Sequence, residues 1–373
     1  MLSEVLHSAT VHVTPGTLAV AESWTHPTRG PVDCPAHHLL TAHAQEAGFT
    51  AETRALGRAD LGDGATTPRS TVFAVSYAKP DGGHCGLALA ACAQDTAATA
   101  FARRQIESWS AVLRTRRVLY VVTEAARREE EAAQGPSTSV PPQASDSARG
   151  PWQVCGCPTG VACPAARSAA RSLRKFLGRG DEVIVVGAPA DGAEPGQDPA
   201  FHADGVRVAT PQQAESLTVA DPDRLAFVVT PGAVVSDAVA VLAVLRRRFP
   251  RLRGQHPQEW CYTMDDLHTA IGSALAQSDV LLVTGRGTSP AARAAAVLAA
   301  RARVRLREVT SLERLRPDDV DAATITVLDA TTDGLDCRAV GRALDGLGPT
   351  SHVRRQSCSS TLSAPPAVLA DHP

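Results

Sequence analysis

Residues 163–189, CPAARSAARSLRKFLGRGDEVIVVGAP, decide the reading of this chain. The first part, 163–180, spaces its apolar and small residues like one face of a helix and stops at Gly178 and Gly180. The second part, 181–189, is a short β-branched run closed by Gly187 and Pro189, which reads as a buried strand. A helix passing directly into an apolar strand predicts layered α/β structure.

The pattern repeats toward the C-terminus. RLAFVVTPG (224–232), DVLLVTGRG (279–287) and ATITVLDATT (323–332) read as strands. SDAVAVLAVLRRRFPRL (236–252), DDLHTAIGSALAQS (265–278) and SPAARAAAVLAARAR (289–303) read as helices, with Ser236 and Ser289 at the N-cap positions. Strict alternation predicts parallel, doubly wound sheets whose ligand sites lie at the carboxyl ends of the strands. The N-terminal third repeats it more weakly. Strands are expected at 16–24, 70–78 and 116–125, and helices at 35–48 and 95–114.

Of 373 residues, 44% are hydrophobic but only 4% aromatic, so the core must come mainly from Ala, Val and Leu, as α/β layers allow. The 37 basic side chains nearly balance 39 acidic ones, which gives no broad attraction to nucleic acid or anionic membrane. Neither a basic leader nor an apolar run long enough to span a bilayer is present, so a soluble, cytoplasmic protein is expected. In that compartment the nine cysteines are thiols, metal ligands or catalytic groups.

Two stretches rich in Pro, Ser, Gly and charge are expected to be disordered: 128–151 as a linker or insertion, and 349–373 as a tail that includes Cys358. They divide the chain into a divergent N-terminal α/β unit over 1–127, a second unit over 152–257 and a third over 258–348. Each unit carries a cysteine near a strand end or helix start: Cys34, Cys163 and Cys261. Thiolates hold iron–sulfur clusters, and three protein ligands leave one iron open to substrate. The competing reading is that a buried Cys simply packs.

Several of these segments together resemble the 4-hydroxy-3-methylbut-2-enyl diphosphate reductase family, the LytB or IspH type. They are ACPAARSAARSLRKFLGRGDEVIVVG (162–187), GVRVATPQQAESLTV (205–219), LRRRFPRLRG (245–254), EWCYTMDDLHTAI (259–271) and DVLLVTGRGTSPAAR (279–293), in family order over about half the chain. The resemblance implies three α/β units around a central cavity. It also implies a [4Fe–4S] cluster, a diphosphate substrate that loses an allylic hydroxyl, and an electron donor such as ferredoxin or flavodoxin. Cys163 and Cys261 fall on two cluster-ligand positions. The third, in a Gly-Phe-Cys-Ala-Gly-Val loop of the family, points to Cys34 within TRGPVDCPAHHLL, with Cys85 of GGHCGLALAAC as the other candidate. Cys155 and Cys157 have no family counterpart.

The family's substrate shell is eroded. Its Gly-His-x-x-His-Pro-Glu segment becomes GAPADGAEPGQ (187–197), so Ala188 and Asp191 replace the histidines, Ala193 replaces the acid, and Glu194 one place on is the remaining candidate proton donor. The family's Ser-Ser-Asn turn reads Thr288, Ser289, Pro290. A hydroxyl-bearing family position falls at Pro231, beside Thr230, and a phosphate-binding Ser falls near Asp333. Two readings stand. One is an iron–sulfur reductase with Glu194 as catalytic acid and Thr230, Thr288 and Ser289 on the substrate. The other is a diverged paralogue that binds or senses another ligand.

Two further motifs are weighed and set aside. Cys34, His37, His38 and His43 suggest zinc, yet no second ligand pair follows at finger spacing, and a solvated helix face is the simpler reading. TGRGTSP (284–290) could bind an anion at a helix start, but it lacks the Gly-Lys-Ser/Thr of a phosphate loop.

Overall fold

The computed structural model describes residues 2–8, 11–58, 69–122, 164–188, 205–284, 289–330 and 335–356. They form three sheets flanked by helices, an α/β fold.

The second sheet contains β8 (Glu182–Val186), β9 (Val206–Val208), β10 (Leu225–Val229) and β11 (Arg253–Gly254) in the order β11-β10-β8-β9, all parallel. Alternate residues of its central strands face opposite layers. Ile184, Val186, Phe227 and Val229 join one buried cluster with helix α5 (Val235–Arg248), and Val183, Val185, Ala226 and Val228 join another with α3 (Pro164–Leu177). Burial on both faces is why these strands read as continuous apolar runs.

The third sheet is also wholly parallel. It runs β13 (Arg305–Val309), β12 (Val280–Thr284), β14 (Thr324–Asp329), β7 (Arg116–Val122), β15 (Thr350–Gln356). One face packs against α6 (Thr263–Leu275) and α7 (Pro290–Ala302), the other against α9 (Cys337–Asp345). Two of its strands lie outside the 258–348 stretch expected to build it. β7 is inserted between β14 and β15 from the N-terminal third, and the expected tail begins with a strand that pairs along all of β7.

The first sheet is of another kind. β1 (Leu2–Ser8), β2 (Thr17–His26), β3 (Gly30–Asp33), β4 (Thr50–Arg58), β5 (Ser70–Ala78) and β6 (His84–Cys92) run in the order β1-β5-β6-β3-β2-β4. The β1–β5, β5–β6, β2–β3 and β2–β6 pairs are antiparallel. Its inner face, with Leu18, Phe73, Val75 and Leu89, shares one cluster with α1 (His37–Glu46), α2 (Thr96–Ser110), α9 and the third sheet's Val118, Leu282 and Val327. The N-terminal and C-terminal parts of the chain therefore have a common core.

That joint includes a buried histidine. His43 donates from Nε2 to the Leu315 carbonyl at 2.9 Å, and its Nδ1 accepts from Arg316, whose other nitrogen reaches Glu46 at 3.4 Å. Burial, then the Arg316 cation, hold His43 below the usual imidazole range. The unfolded chain therefore takes up this proton at a higher pH than the folded one, and stability falls as pH drops below about 6.5. His43→Gln keeps a donor and removes the titration, so its unfolding free energy should fall less steeply between pH 7 and pH 5. Because His268 is depressed in the same direction, part of the slope should remain. An unchanged slope in urea titrations at those pH values would refute the assignment.

Ser289 caps α7 as expected, its side chain accepting from the Ala292 amide at 3.1 Å. Ser236 does not cap α5. The helix starts two residues earlier than that cap would place it, with Val234 at the cap, and the Ser236 amide is satisfied by the Asp265 carboxylate at 2.9 Å. The linker 128–151 and residues 357–373, with Cys358, lie outside the described residues. No helix among the described residues is long and apolar enough to cross a membrane.

Candidate functional site

The carboxyl ends of the second and third sheets bring several helix starts together around Cys261. After β8 the chain turns at Gly187, whose φ of +93° favours glycine, and a Cβ there would lie 2.9 Å from that of Ala233. The Gly187 amide donates to Val208 at 2.9 Å, and its carbonyl accepts from the Thr230 hydroxyl at 2.8 Å. Thr230 is buried at the end of β10, and its proton is committed to this brace. A phosphate oxygen needs a donor, so the hydroxyl in this arrangement has none to give it.

Gln255 delivers the next segment. It is 3% exposed, accepts from the Val229 amide at 3.2 Å and donates to the Glu259 carbonyl at 3.2 Å. This ties the turn at Pro257–Glu259 to β10 and fixes the entry of Trp260, Cys261 and Tyr262 into α6. Cys261 is buried in one cluster with Ala166 of α3, Met264 of α6, Ala291 and Ala292 of α7, and Ala330 beyond β14. Residues from the first turns of three helices thus belong to the buried cluster that includes this thiol. The amide ends of these helices favour negative charge, whether a thiolate or an anionic ligand. Ser289 is half-buried at the start of α7, and its hydroxyl accepts the capping bond while keeping a proton to donate.

Cys34 lies elsewhere. It is 1% exposed, behind the first sheet with Trp24, Val32, Leu56, Val72 and Ala88. β3 pairs Asp33 with Cys85 of β6, so the neighbouring thiol is Cys85, not Cys261. Burial above all, then Cys85 and Asp33, push the Cys34 thiol far above its ordinary range. Burial also raises Cys85, although Lys79 opposes it. Cys34 and Cys261 thus belong to different buried clusters, and the fold does not bring these two expected ligands into one. Nor do its neighbours assemble a zinc site: His43 is turned into the joint with the third sheet, and among the described residues no three His, Cys, Asp or Glu side chains group as a metal would require.

Cys163, Cys155, Cys157, Glu194 and Thr288 lie outside the described residues, as does Asp333. Cys163 immediately precedes α3, and Ala166 in the first turn of that helix shares the Cys261 cluster. A separate groove of about 380 Å³ opens between His43, Glu46, Phe101, Gln105 and Arg316, and shares no residue with this site. Sequence reasoning missed Gln255 and Gly187 as positioning residues. Gly187 had a signal, a glycine ending a buried strand, whereas an interior glutamine in an Arg- and Pro-rich turn has none.

Residues 154–333 match the family model described as LytB protein. Among curated relatives, the 4-hydroxy-3-methylbut-2-enyl diphosphate reductase of Chromohalobacter salexigens is 27% identical over 193 residues, covering 50% of this chain and 61% of the relative. That of Methylibium petroleiphilum is 32% identical over 158 residues, covering 42% and 48%. A solved structure of the Plasmodium falciparum E-1-hydroxy-2-methyl-but-2-enyl-4-diphosphate reductase aligns with a TM-score of 0.40 at 12% identity, covering 51% of this chain and 61% of that one. The alignments span about six tenths or less of these relatives' length.

Proposed function

We propose that this chain, whose residues 154–333 match the LytB family model, is a divergent iron–sulfur reductase of the LytB type. Its substrate is 4-hydroxy-3-methylbut-2-enyl diphosphate and its products are isopentenyl and dimethylallyl diphosphate. The reaction removes the allylic hydroxyl as water, taking two electrons and two protons. A bound [4Fe–4S] cluster supplies the electrons one at a time, drawn from a ferredoxin or flavodoxin.

The observation that carries this reading is that Cys261 is buried in the same cluster as residues from the first turns of α3, α6 and α7. Cys261 and Cys163 are the proposed ligands, since Cys163 leads directly into the helix whose first turn shares that cluster. Cys34 packs in a different cluster from Cys261 and is not proposed as the third ligand. The Ser289 hydroxyl at the start of α7, which accepts from the Ala292 amide and keeps its own proton, donates to the diphosphate, with Thr288, its neighbour in sequence, as a second hydroxyl donor. Thr230 acts indirectly, holding the Gly187 carbonyl just past β8, and Glu194, seven residues further along the sequence, is the proposed acid.

Iron and acid-labile sulfide after anaerobic reconstitution test the assignment. Stoichiometric cluster is expected in the intact chain and in Cys34→Ser, with loss in Cys163→Ser and in Cys261→Ser. Cluster retained in Cys261→Ser would overturn the site. A loaded chain that fails to turn over the diphosphate would leave the family fold with a binding or sensing role.

A further inference from the structure

Helix α3 buries Ala166, Ala169, Leu173 and Phe176 against the second sheet and presents Arg167, Arg171, Arg174 and Lys175 to solvent. At 100° per residue these four cations fall within an arc of about 100°, along roughly 12 Å of helix. No acidic residue lies anywhere in the helix. Other cations of the same unit are engaged: Arg247 with Glu215, Arg251 with Asp223, and Arg253 with Asp181 at 2.6 Å. None of the four on α3 makes an ion pair with a described residue, and the only side-chain hydrogen bond among them runs from Arg174 Nε to the Ala170 carbonyl. In a chain whose net charge is −2, this face is a local concentration of unneutralised positive charge.

We propose that the exposed face of α3 docks the acidic surface of a one-electron carrier protein. The electron-carrying character of the partner rests on the reductase reading, whereas the acidic surface follows from the helix itself. Two features favour a protein over nucleic acid: the basic area is confined to one helix, and the 4% aromatic content provides no stacking platform. An anionic bilayer would need apolar side chains flanking the cations, and those of α3 are buried in the protein. Position agrees with the role. Arg167 is three residues past Pro164, about 4.5 Å along the axis, so a carrier seated here stands next to the helix start that shares the Cys261 cluster.

Binding of a fluorescently labelled plant-type [2Fe–2S] ferredoxin to the full chain, followed by anisotropy, tests the proposal without requiring turnover. The intact chain should bind at low ionic strength and lose roughly tenfold in affinity between 20 and 200 mM salt. Arg167→Glu, Arg171→Glu, Arg174→Glu and Lys175→Glu combined should weaken binding by about thirtyfold or more. The three arginines changed to lysine should retain it within about threefold. Since the four side chains are exposed and make no ion pair with a described residue, unfolding midpoints of both variants should stay close to the parent. Unchanged binding in the reversal variant, no binding by the intact chain, or stronger binding to anionic vesicles or RNA than to the carrier would each overturn the docking surface. A chain that binds the carrier through α3 yet holds no cluster would instead sink the reductase reading alone.

Discussion

Replacing Arg116 with leucine is expected to destabilise the protein by about 3–5 kcal/mol. The side chain opens β7 and is 2% exposed. Its Nε donates to the Val320 carbonyl at 3.1 Å, and its terminal nitrogens donate to the carbonyls of Val112, Arg114 and Leu347. These acceptors follow α2, precede β7, end the short helix at Pro317–Val320 and follow α9, so one guanidinium satisfies the carbonyl ends of three helices. Burial, and next the Arg114 charge, lower Arg116 to about 10, which still leaves it a cation at neutral pH. Leucine fills the space and takes the side-chain donor from four carbonyls, of which Val320 and Leu347 keep a backbone amide (Ala322 at 2.9 Å, Arg114 at 3.3 Å), a penalty larger than the net worth of the bonds themselves. Lysine offers a point charge where a planar fork reaches in several directions, so Arg116→Lys should recover less than half of the loss. Urea unfolding of both variants reports it, and a loss below about 1 kcal/mol for the leucine variant would refute this account.

Arg116 also marks the limit of what local pattern reveals. The run 116–125 reads as a strand, and a strand forms at Arg116–Val122, but nothing in it says that its partners are β14 and β15, more than 200 residues on. Pairing depends on faces and neighbours that short-range sequence does not encode. The doubly wound sheets were legible because strands buried on both faces are apolar throughout: Leu225–Val229 and Val280–Thr284 are buried at every position. β15 was hidden for the opposite reason. It is a polar edge strand, and its register is set by β7 rather than by any apolar face. β6 was missed because HCGLALAAC builds its buried faces from alanine, leucine and glycine in place of β-branched residues. Around the candidate site, the Cys261 segment was legible through its motif order, whereas Cys34 followed a loop whose likeness was local. Only the fold shows that its side chain faces Trp24 and Val72.

The second large effect is expected from the shared core itself, at Gly346. Its backbone is ordinary, with φ −79° and ψ −8°, so any residue could adopt the conformation and only space is at issue. A Cβ there would lie 2.4 Å from both the Cβ and the amide nitrogen of Ala36, and 2.9 Å from its Cα. Ala36 is fully buried and precedes α1, so the end of α9 meets the start of α1 backbone to backbone. The Tyr77 hydroxyl fixes the same corner by donating to the Asp345 carbonyl at 2.8 Å. Neither side can give by moving a side chain tip. Gly346→Ala must therefore push the first and third sheets apart, at a cost of about 2–4 kcal/mol, offset by less than about 1 kcal/mol from the lower entropy of the unfolded alanine chain. Hydrogen exchange separates this from general damage. Amides of α1 and of α9 with β15 should lose protection together, because Ala36, Leu39, Leu344 and Leu347 belong to one cluster. Those of β8 and β10, whose side chains pack in two other clusters, should be spared. Equal loss across all three sheets would mean that the chain unfolds as one unit and that the joint at Gly346 has no local identity.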